Sequence, residues 1–333
     1  MKEALFYKKL ASGQVECFLC SHYCKINVGA FGFCKVRQNL GQVLYSHNYG
    51  RLISSAIDPI EKKPLYHFLP GSTAFSIAAP GCNFRCQFCQ NWQISQGNSL
   101  DCSAAEDVAA EKIVALALNS KCPSIAYTYS EPAIYFEYAF DIAQLAKKKK
   151  LRNVFISNGY ISAQAVRKIA PYLDAVNIDL KSFNDGFYRK LCSATLQPVL
   201  DTIRLMKELG VWVEVTTLII PGENDSAEEL KKIAEFIAGV DKNIPWHVSG
   251  FYGAYKFIDR AATPLSALER AVEIGKACAL RYVYAGNISG RGNITYCASC
   301  DKELILRQGF KVVEQNLDKG RCVFCKTPLP GVF

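Results

Sequence analysis

Three cysteines fall within eight positions of the stretch PGCNFRCQFCQNW, which covers residues 80–92: Cys82, Cys86 and Cys89. Cysteine thiolates are ligands for zinc and for iron–sulfur clusters, and closed sites of both kinds take four protein ligands. A set of three leaves one metal coordination position for a small molecule, which is the arrangement of catalytic metal sites. The alternative interpretation is a structural zinc site that takes its fourth ligand from a distant part of the chain.

A second group of cysteines lies near the end of the chain, in YCASC and RCVFC. Two C-x2-C pairs are separated there by 21 residues, a spacing typical of zinc ribbons and rubredoxin-like sites. Zinc and iron both accept four thiolates in a tetrahedron, so the spacing does not distinguish them. We favour zinc in a closed site with a structural or docking role, and its predicted ligands are Cys297, Cys300, Cys322 and Cys325.

The third group, in CFLCSHYCKINVGAFGFC, has the spacing C-x2-C-x3-C-x9-C. Four thiolates are enough for a closed metal site, and the sequence leaves zinc and an auxiliary iron–sulfur cluster both open. His22 lies within the group as a substitute ligand. The predicted ligands are Cys17, Cys20, Cys24 and Cys34. The other cysteines are scattered, and we expect them to be small buried side chains: Cys102, Cys122, Cys192 and Cys278.

The composition is that of a packed globular protein. Half of the 333 residues are hydrophobic and 21% are charged, and no apolar stretch approaches the roughly 20 residues of a membrane span. The N-terminus has no apolar segment of the kind found in signal peptides. The chain has 15 cysteines. In a protein that we expect to lack a secretion signal, this number favours metal sites over disulfides. We therefore expect a cytoplasmic protein with no membrane partner.

The formal net charge of +9 is a weak indication of nucleic-acid binding. Metal-bound thiolates would reduce this charge to roughly +4 if all three cysteine groups held metal. A weakly basic surface of that kind suits an acidic electron donor and does not by itself favour RNA.

Between residues 73 and 285, short β-rich runs alternate with helical stretches, which predicts βα units around a parallel sheet. The predicted strands cover residues 73–79, 124–129, 153–157, 175–180, 211–220, 246–251 and 281–286. Helices are predicted over residues 105–119, 132–150 and 226–239, with start signals at Ser103, Ser226 and Pro264.

Six or seven βα units predict an α/β fold with a partial (β/α)6-type parallel barrel. We place the barrel at residues 51–286, between a cysteine-rich segment at 1–50 and a zinc-ribbon or rubredoxin-like segment at 287–333. Reactive residues of such barrels lie at the carboxyl ends of the strands. The cysteine trio follows the first predicted strand directly, so it occupies the expected position.

The C-x3-C-x2-C pattern, with Phe88 before the last cysteine, resembles the CxxxCxΦC signature of the radical S-adenosylmethionine (radical SAM) superfamily. The resemblance implies a [4Fe-4S] cluster on the trio, with the amino and carboxylate groups of S-adenosylmethionine (SAM) on the open iron. It also implies that one electron from the cluster cleaves SAM to a 5′-deoxyadenosyl radical. The missing fourth ligand would then be the cosubstrate.

Further motifs at successive strand ends resemble SAM contacts of this superfamily. YTYSEP (127–132) is similar to the GGEP loop that holds the methionine ammonium, with Tyr129 and Ser130 in place of its glycines. ISNGY (156–160) is similar to a turn that contacts the ribose or carboxylate, and NIDLKSF (177–183) to the DLK motif of glycyl-radical activating enzymes. WHVSGF (246–251) carries a late-strand histidine. The residues implied to bind the cosubstrate are Phe88, Glu131, Ser157, Asn158, Asp179, Lys181 and His247.

Some of those activating enzymes bind a monovalent cation through the aspartate of DLK and an Asp-Thr pair one strand earlier. The pair reads Ile156-Ser157 here, which does not favour a cation site.

The whole chain resembles the AmmeMemoRadiSam-system radical SAM enzyme, a group related to pyruvate formate-lyase activating enzymes. The resemblance rests on the CxLCxHxCxIxxGxxGxC block, the CNFRCQFCQNWQIS loop and the ending RCVFCKTPLPGVF. It implies an electron donor of the flavodoxin or ferredoxin type and, as partners, an AMMECR-type and a Memo-type protein. By kinship, the leading hypothesis is hydrogen abstraction from a partner protein, as in glycyl-radical installation.

Two alternative functions stay open at this point. The first is a radical SAM enzyme that modifies RNA or a small molecule. The second is a non-catalytic metal carrier or scaffold with three metal sites. The second gives no purpose to the polar residues at successive strand ends.

Overall fold

The computed structural model of the protein describes residues 1–11, 13–97, 105–287 and 292–333. Cys102 and Ser103, which the sequence analysis named, lie outside the described residues. Among the described residues, no helix has both the length and the apolar composition needed to cross a membrane.

The N-terminal segment folds into small antiparallel sheets. Strands β2, β3 and β4 form one of them, and β1, β6 and β5 form the other, in that order. The strands are β1 (Lys2–Glu3), β2 (Tyr7–Lys9), β3 (Val15–Cys17), β4 (Lys25–Ile26), β5 (Arg37–Leu40), β6 (Val43–Ser46) and β7 (Arg51–Leu52).

An eight-stranded sheet forms the body of the protein. Its order is β16-β15-β14-β13-β12-β11-β9-β8, and every pair is parallel except the antiparallel edge pair of β8 and β9. The bounds are β8 (Ser54–Pro59), β9 (Thr73–Ala78), β11 (Ser124–Tyr127), β12 (Arg152–Ser157), β13 (Ala175–Asp179), β14 (Trp212–Ile219), β15 (Trp246–Gly250) and β16 (Val283–Gly286). The seven predicted strands are confirmed as the seven parallel strands of this sheet. Its eighth strand, β8 at the edge, was not predicted from the sequence.

Helices follow the parallel strands, as βα units require. They are α1 (Trp92–Ser95), α2 (Ala110–Asn119), α3 (Phe136–Lys148), α4 (Ala163–Ile169), α5 (Asp185–Phe187), α6 (Gln197–Glu208), α7 (Ala227–Val240) and α8 (Leu265–Ala277). In α7 the Ser226 hydroxyl accepts the N–H of Glu229, a cap that satisfies one of the helix's free donors. The buried residues of α7 recur every three or four positions and face the sheet: Leu230, Ile233, Ala234 and Ile237.

The start of the helix predicted over 105–119 is wrong. Glu106–Asp107 forms the short strand β10, which pairs with β7, and α2 begins only at Ala110. The pairing supplies backbone hydrogen bonds that a first helical turn would otherwise have made. A tertiary contact has therefore overridden the local helix signal.

The C-terminal segment is a three-stranded antiparallel sheet with a short hairpin. Its strands are β17 (Gly292–Tyr296), β18 (Glu303–Gln308), β19 (Lys311–Gln315), β20 (Leu317–Asp318) and β21 (Arg321–Cys322).

Buried polar groups attach this segment to the barrel. The His67 ring is 2.7 Å from the Tyr284 hydroxyl and 2.8 Å from the Pro330 carbonyl oxygen, and burial lowers the pKa of His67 to about 4. The Arg307 guanidinium donates to the Tyr66 carbonyl oxygen at 2.7 Å. The segment thus closes the open side of the sheet.

The N-terminal segment packs directly behind the loop that carries the cysteine trio. Gly81 has a left-handed backbone (φ +98°), and a Cβ atom there would lie 2.9 Å from Cγ1 of Val36 and 3.3 Å from the Cys34 carbonyl oxygen. The His22 Nε2 atom is 2.7 Å from the Asn83 carbonyl oxygen. The close approach of the two segments therefore requires a glycine next to Cys82.

Gly81→Ala should destabilise the protein more than Gly210→Ala. Gly210 also has a positive φ (+78°), but no atom of the described residues lies within 4 Å of the added carbon. Gly210→Ala, the control, should lower the free energy of unfolding by about 1 kcal/mol through backbone strain. Gly81→Ala should lower it by about 1–3 kcal/mol more through overpacking. Thermal unfolding followed by circular dichroism measures both, and equal losses would contradict the tight contact.

Candidate active site

The cysteine trio lies on the loop that leaves β9 at its carboxyl end. The backbone N–H of Arg85 donates to the Cys192 carbonyl at 2.8 Å, and that of Gln87 to the Leu191 carbonyl at 2.9 Å. The Arg85 guanidinium donates to the carbonyl oxygen of Cys82 at 2.8 Å. These bonds hold the loop in one backbone shape, so the thiols are positioned before any metal binds.

The thiols of the trio are poorly solvated. Burial raises the pKa of Cys82 and Cys89. For Cys86 a hydrogen bond with Cys192 raises the pKa first, and burial second. The positive charge of Lys181 acts in the opposite direction on Cys86 and Cys89. Thiolates at these positions therefore need the positive charge of a bound metal.

One cavity unites the trio with the strand-end residues that the sequence analysis assigned to the cosubstrate. Its volume is about 520 Å³, in the range of small-molecule sites. The lining includes Cys82, Cys86, Cys89, Phe88, Glu131, Ser157, Asn158, Asp179, Lys181 and His247. The parallel strands bring these residues together, and their individual roles stay predictions.

Glu131 ties two strand-end loops together. Its carboxylate accepts the Ser157 hydroxyl and the Asn158 N–H, both at 2.8 Å, and the N–H of Ala133 at 2.9 Å. It is only 1% exposed. Burial raises the pKa of Glu131 to about 7 despite these hydrogen bonds. A carboxylate with such a pKa is ready to ionise next to a cationic ligand.

The loop before Glu131 keeps the backbone shape that glycine would adopt, although glycine is absent. Tyr129 has a left-handed φ of +64°, a conformation that is costly for a bulky residue. Its hydroxyl donates to the Asp58 carboxylate, and its ring lies 4.4 Å from the Lys63 ammonium. These contacts offset the strain, so the replacement of glycine by Tyr129 leaves the loop conformation intact.

Lys181 and Asp179 form an ion pair at the end of β13, with 2.8 Å between Nζ and Oδ2. Burial favours the neutral amine, but the charges of Asp179, Cys86 and Cys192 outweigh it and raise the pKa of Lys181. The ammonium lies 5.9 Å from the centre of the Phe88 ring. Lys181 is therefore a cation held at the edge of the cysteine site.

His247 lies deeper in the barrel than the other site residues, as the second residue of β15. Its Nε2 atom is 2.7 Å from the Glu214 carboxylate. That carboxylate also accepts the backbone N–H groups of Tyr66 and His67, at 2.9 and 2.8 Å. His247 lines the cavity, but its Nε2 atom is hydrogen-bonded to Glu214. Only the rest of the imidazole ring is therefore available to a ligand.

Sequence reasoning missed two residues that organise the site, Glu214 and Asn224. The Asn224 amide donates to the carbonyl oxygens of Lys181 and Leu218, at 2.7 and 2.8 Å. Its side-chain oxygen accepts the N–H of Ile220 at 2.7 Å. A polar residue in the Pro-Gly turn after β14 was the available signal for Asn224. A lone glutamate within an apolar strand was the signal for Glu214.

The C-terminal cysteines have the spacing of a single-ion site. Their sulfur atoms all lie within 4.8 Å of one another. The Cys297–Cys325 and Cys300–Cys322 sulfur pairs are 3.5 and 3.8 Å apart, close to the roughly 3.8 Å edge of a tetrahedron with metal–sulfur bonds of about 2.3 Å. This group can bind a metal ion, as predicted, and its spacing suits zinc and iron equally.

The N-terminal cysteines line a second, small cavity. Cys17, Cys20, Cys24 and Cys34 surround it together with Arg37. The Nε2 atom of His22 is bonded to the Asn83 carbonyl, and His22 lines the same cavity, so its role as a substitute ligand stays a prediction.

Comparisons with known proteins identify the superfamily of this chain. The sequence profile of the Radical SAM superfamily matches residues 76–237. An uncharacterized protein of Methanocaldococcus jannaschii, MJ0808, is 44% identical over 329 residues, 98% of each chain. The pyruvate formate-lyase-activating enzyme of Listeria monocytogenes is 24% identical over 195 residues, covering 54% of this chain and 77% of that enzyme. This chain belongs to the radical SAM superfamily and is a distant relative of such activating enzymes.

A solved structure supports the fold alone. The crystal structure of a radical SAM methyltransferase from Sphaerobacter thermophilus superimposes with a TM-score of 0.52 at 16% identity, covering 67% of this chain and 68% of that chain. The predicted α/β barrel of the radical SAM kind is therefore confirmed.

The superfamily implies a [4Fe-4S] cluster and SAM, and the donor set fits both. Within the described residues, the three sulfur atoms of the trio do not all lie within 4.8 Å of one another. A wider spacing suits a cluster, because each thiolate binds a different iron. Cys82, Cys86 and Cys89 would hold that cluster, and Glu131, Ser157 and Asn158 would face the SAM molecule. The chemistry that such a cluster would supply there is one-electron reduction of SAM.

SAM should bind more tightly as the pH rises through about 7. The raised pKa of Glu131, about 7, means that the carboxyl group is mostly protonated at pH 6 and mostly ionised at pH 8. Only the ionised form attracts the methionine ammonium. Glu131→Gln should weaken binding about tenfold or more and remove this pH dependence.

Isothermal titration of the cluster-loaded protein with SAM at both pH values measures this effect. Cys278→Ala is the control, because Cys278 is not among the described residues that line the cavity, and it should keep the wild-type affinity and its pH dependence. A wild-type affinity that does not change with pH would place the ammonium away from Glu131.

Cys322→Ala should lose about one metal ion per chain, because a closed site needs all four thiolates. Elemental analysis by mass spectrometry measures the loss and identifies the metal. Cys122→Ala is the matched control, since Cys122 is equally buried (2% against 0% exposed) and belongs to no cysteine group. An unchanged metal content in Cys322→Ala would show that the C-terminal group holds no ion.

Proposed function

We propose that this protein cleaves SAM reductively and uses the resulting radical to abstract hydrogen from a partner protein. The observation that carries the proposal is the single cavity in which three cysteines meet Glu131, Ser157, Asn158 and Lys181. Membership in the radical SAM superfamily supports the cleavage step. The choice of a protein as substrate rests on the arguments that follow.

The side chains around the trio divide the binding of SAM between them. Glu131 provides a carboxylate for the methionine ammonium. Ser157 ends β12 and Asn158 follows it; both offer polar atoms to the ribose, with the Asn158 amide 2.8 Å from the Asn83 side-chain oxygen. Lys181 provides a cation for the carboxylate end of SAM. Glu131, Ser157 and Asn158 are buried and bonded to each other, so they can hold SAM in one orientation.

The rim of the cavity suits a protein substrate. Trp92 follows the cysteine loop, is 40% exposed and stacks on Tyr255 with 5.2 Å between ring centres. Tyr252 and Phe310 are 46% and 45% exposed. Phe310 lines the cavity, and the Tyr252 hydroxyl donates to the carbonyl of Asn287, another lining residue. Exposed aromatic residues beside a cavity are typical of protein-binding surfaces.

Kinship supports the same choice. The Listeria monocytogenes relative is named for activating pyruvate formate-lyase, which is itself a protein. By that analogy the hydrogen would come from a backbone or side-chain carbon of the partner. We further propose a flavodoxin- or ferredoxin-type electron donor, and AMMECR-type and Memo-type proteins as partners, on the resemblance of the whole chain.

The reaction is tested by loading the protein with iron and sulfide under anaerobic conditions, reducing it with dithionite and adding SAM. Wild-type protein and Cys278→Ala should form 5′-deoxyadenosine, whereas Cys86→Ala should form none because two thiolates do not retain the cluster. Product formation by Cys86→Ala would show that other cysteines hold the cluster. A wild-type protein that carries the cluster but forms no product would favour a metal carrier.

The substrate class is tested with a cell lysate from the native organism grown in deuterated medium. The lysate is separated into protein, RNA and small-molecule fractions, and each is added to the reaction with unlabelled SAM. We expect deuterium in 5′-deoxyadenosine only with the protein fraction, and protease treatment should abolish the transfer. Label from the RNA or small-molecule fraction would contradict a protein substrate.

A further inference from the structure

The N-terminal cysteines differ in spacing from the C-terminal ones. All four C-terminal sulfurs lie within 4.8 Å of one another, and among the described residues no other cysteine group meets that criterion, even for three members. Yet the four N-terminal cysteines surround one cavity. They are thus close enough to share a ligand and too widely spaced for a single ion.

The cysteine trio provides an internal standard for this comparison. It lies in the position where the superfamily carries its four-iron cluster, and its sulfurs also exceed the single-ion spacing while lining one cavity. The N-terminal group has the same two properties. A cubane separates its cysteine sulfurs because each binds a different iron, whereas a zinc ion gathers them on one centre.

The cavity is equipped to stabilise thiolates. The backbone N–H groups of Leu19, His22 and Val36 favour the thiolate forms of Cys17, Cys20 and Cys34, each two residues earlier in the chain. The N–H of Phe33 lies 3.5 Å from the Cys24 sulfur. Such N–H···S bonds offset the negative charge of cluster ligands.

A buried cation faces the same cavity. Arg37 is 1% exposed, lines the cavity and pairs with Glu137 at 2.5 Å. Its Nε atom has no hydrogen-bond partner among the residues that the structure describes. A buried donor without a partner is costly, so its position beside four thiols points to an anionic group inside the cavity.

From this geometry we infer that Cys17, Cys20, Cys24 and Cys34 hold a second iron–sulfur cluster, with four iron atoms and no open coordination position. Four thiolates occupy all four irons, so this cluster has no site for SAM. It is therefore suited to electron transfer and not to radical generation.

The second cluster would lie directly behind the first. Gly81 precedes Cys82, and a Cβ atom on it would lie 3.3 Å from the Cys34 carbonyl oxygen. The Asn83 carbonyl oxygen is 2.7 Å from Nε2 of His22, which lies between Cys20 and Cys24. Backbone atoms of ligand-bearing loops therefore contact each other without an intervening layer.

The inferred role is a one-electron relay, and this part rests on the proposed function. A reduced donor of the flavodoxin or ferredoxin class loses one electron and is oxidised by one equivalent. The N-terminal cluster accepts that electron and passes it to the cluster at Cys82, returning to its oxidised state. No proton or bond is transferred in this step.

Metal content tests the site independently of activity. After anaerobic loading, the wild type should hold about eight iron atoms per chain at these two sites. The double variant Cys20→Ala/Cys24→Ala, which leaves two thiolates at the N-terminal site, should hold about four. Cys278→Ala, which removes a cysteine outside the three groups, should match the wild type. Electron paramagnetic resonance of the reduced wild type should show two signals, of which only one changes with SAM, and the double variant should retain the SAM-sensitive one.

Zinc instead of iron at the N-terminal site, or about four iron atoms in the wild type, would overturn the inference. The wild-type count needs no variant, so a failure of the double variant Cys20→Ala/Cys24→Ala to fold leaves the test intact. With reduced flavodoxin as donor, the double variant should form 5′-deoxyadenosine at least tenfold more slowly than Cys278→Ala. Equal rates would exclude the relay, whereas absence of product in the wild type with eight iron atoms present would contradict the proposed function alone.

Discussion

The burial of cysteine thiols is the physical constraint on which the rest of the structure depends. Seven thiols, in the trio and in the N-terminal group, all have a raised pKa. Water cannot solvate thiolates at these positions, so positive charge has to come from metal, with help from Lys181 and Arg37. Each cation is paired with a carboxylate; the Arg37 side chain is buried, and that of Lys181 is 14% exposed. Each site thus has a cation of the protein beside its thiols.

The parallel sheet explains why a small-molecule cavity forms at this point. Strands that run in the same direction end at the same edge, so the loops after β9, β11, β12 and β13 meet there. Glu131 links two of these loops through one carboxylate, and Asn224 supports the Lys181 loop from the far side. A rigid frame of this kind can hold a reactive cosubstrate while excluding water.

The two terminal segments are parts of this frame. Arg307, from β18, lies 4.3 Å from the centre of the Tyr66 ring, and Phe310 lines the cavity itself. The C-terminal metal site can therefore stabilise a wall of the cavity, since a segment with so small a core depends on bound metal for its fold. The N-terminal segment packs behind the cysteine loop, where it contacts Gly81 and Asn83.

The sequence by itself determined the grouping of the cysteines and the seven parallel strands of the main sheet. Ligand spacing within a loop and the apolar runs of buried strands are local properties, which is why the trio and all seven parallel strands were predicted. Only the tertiary structure decided the start of α2, the edge strand β8 and the partners of Glu214 and Asn224. It also decided the separation of the sulfurs at the N-terminal site. These features depend on contacts between residues that are distant in the chain, and no local pattern encodes the distance between two side chains brought together by folding.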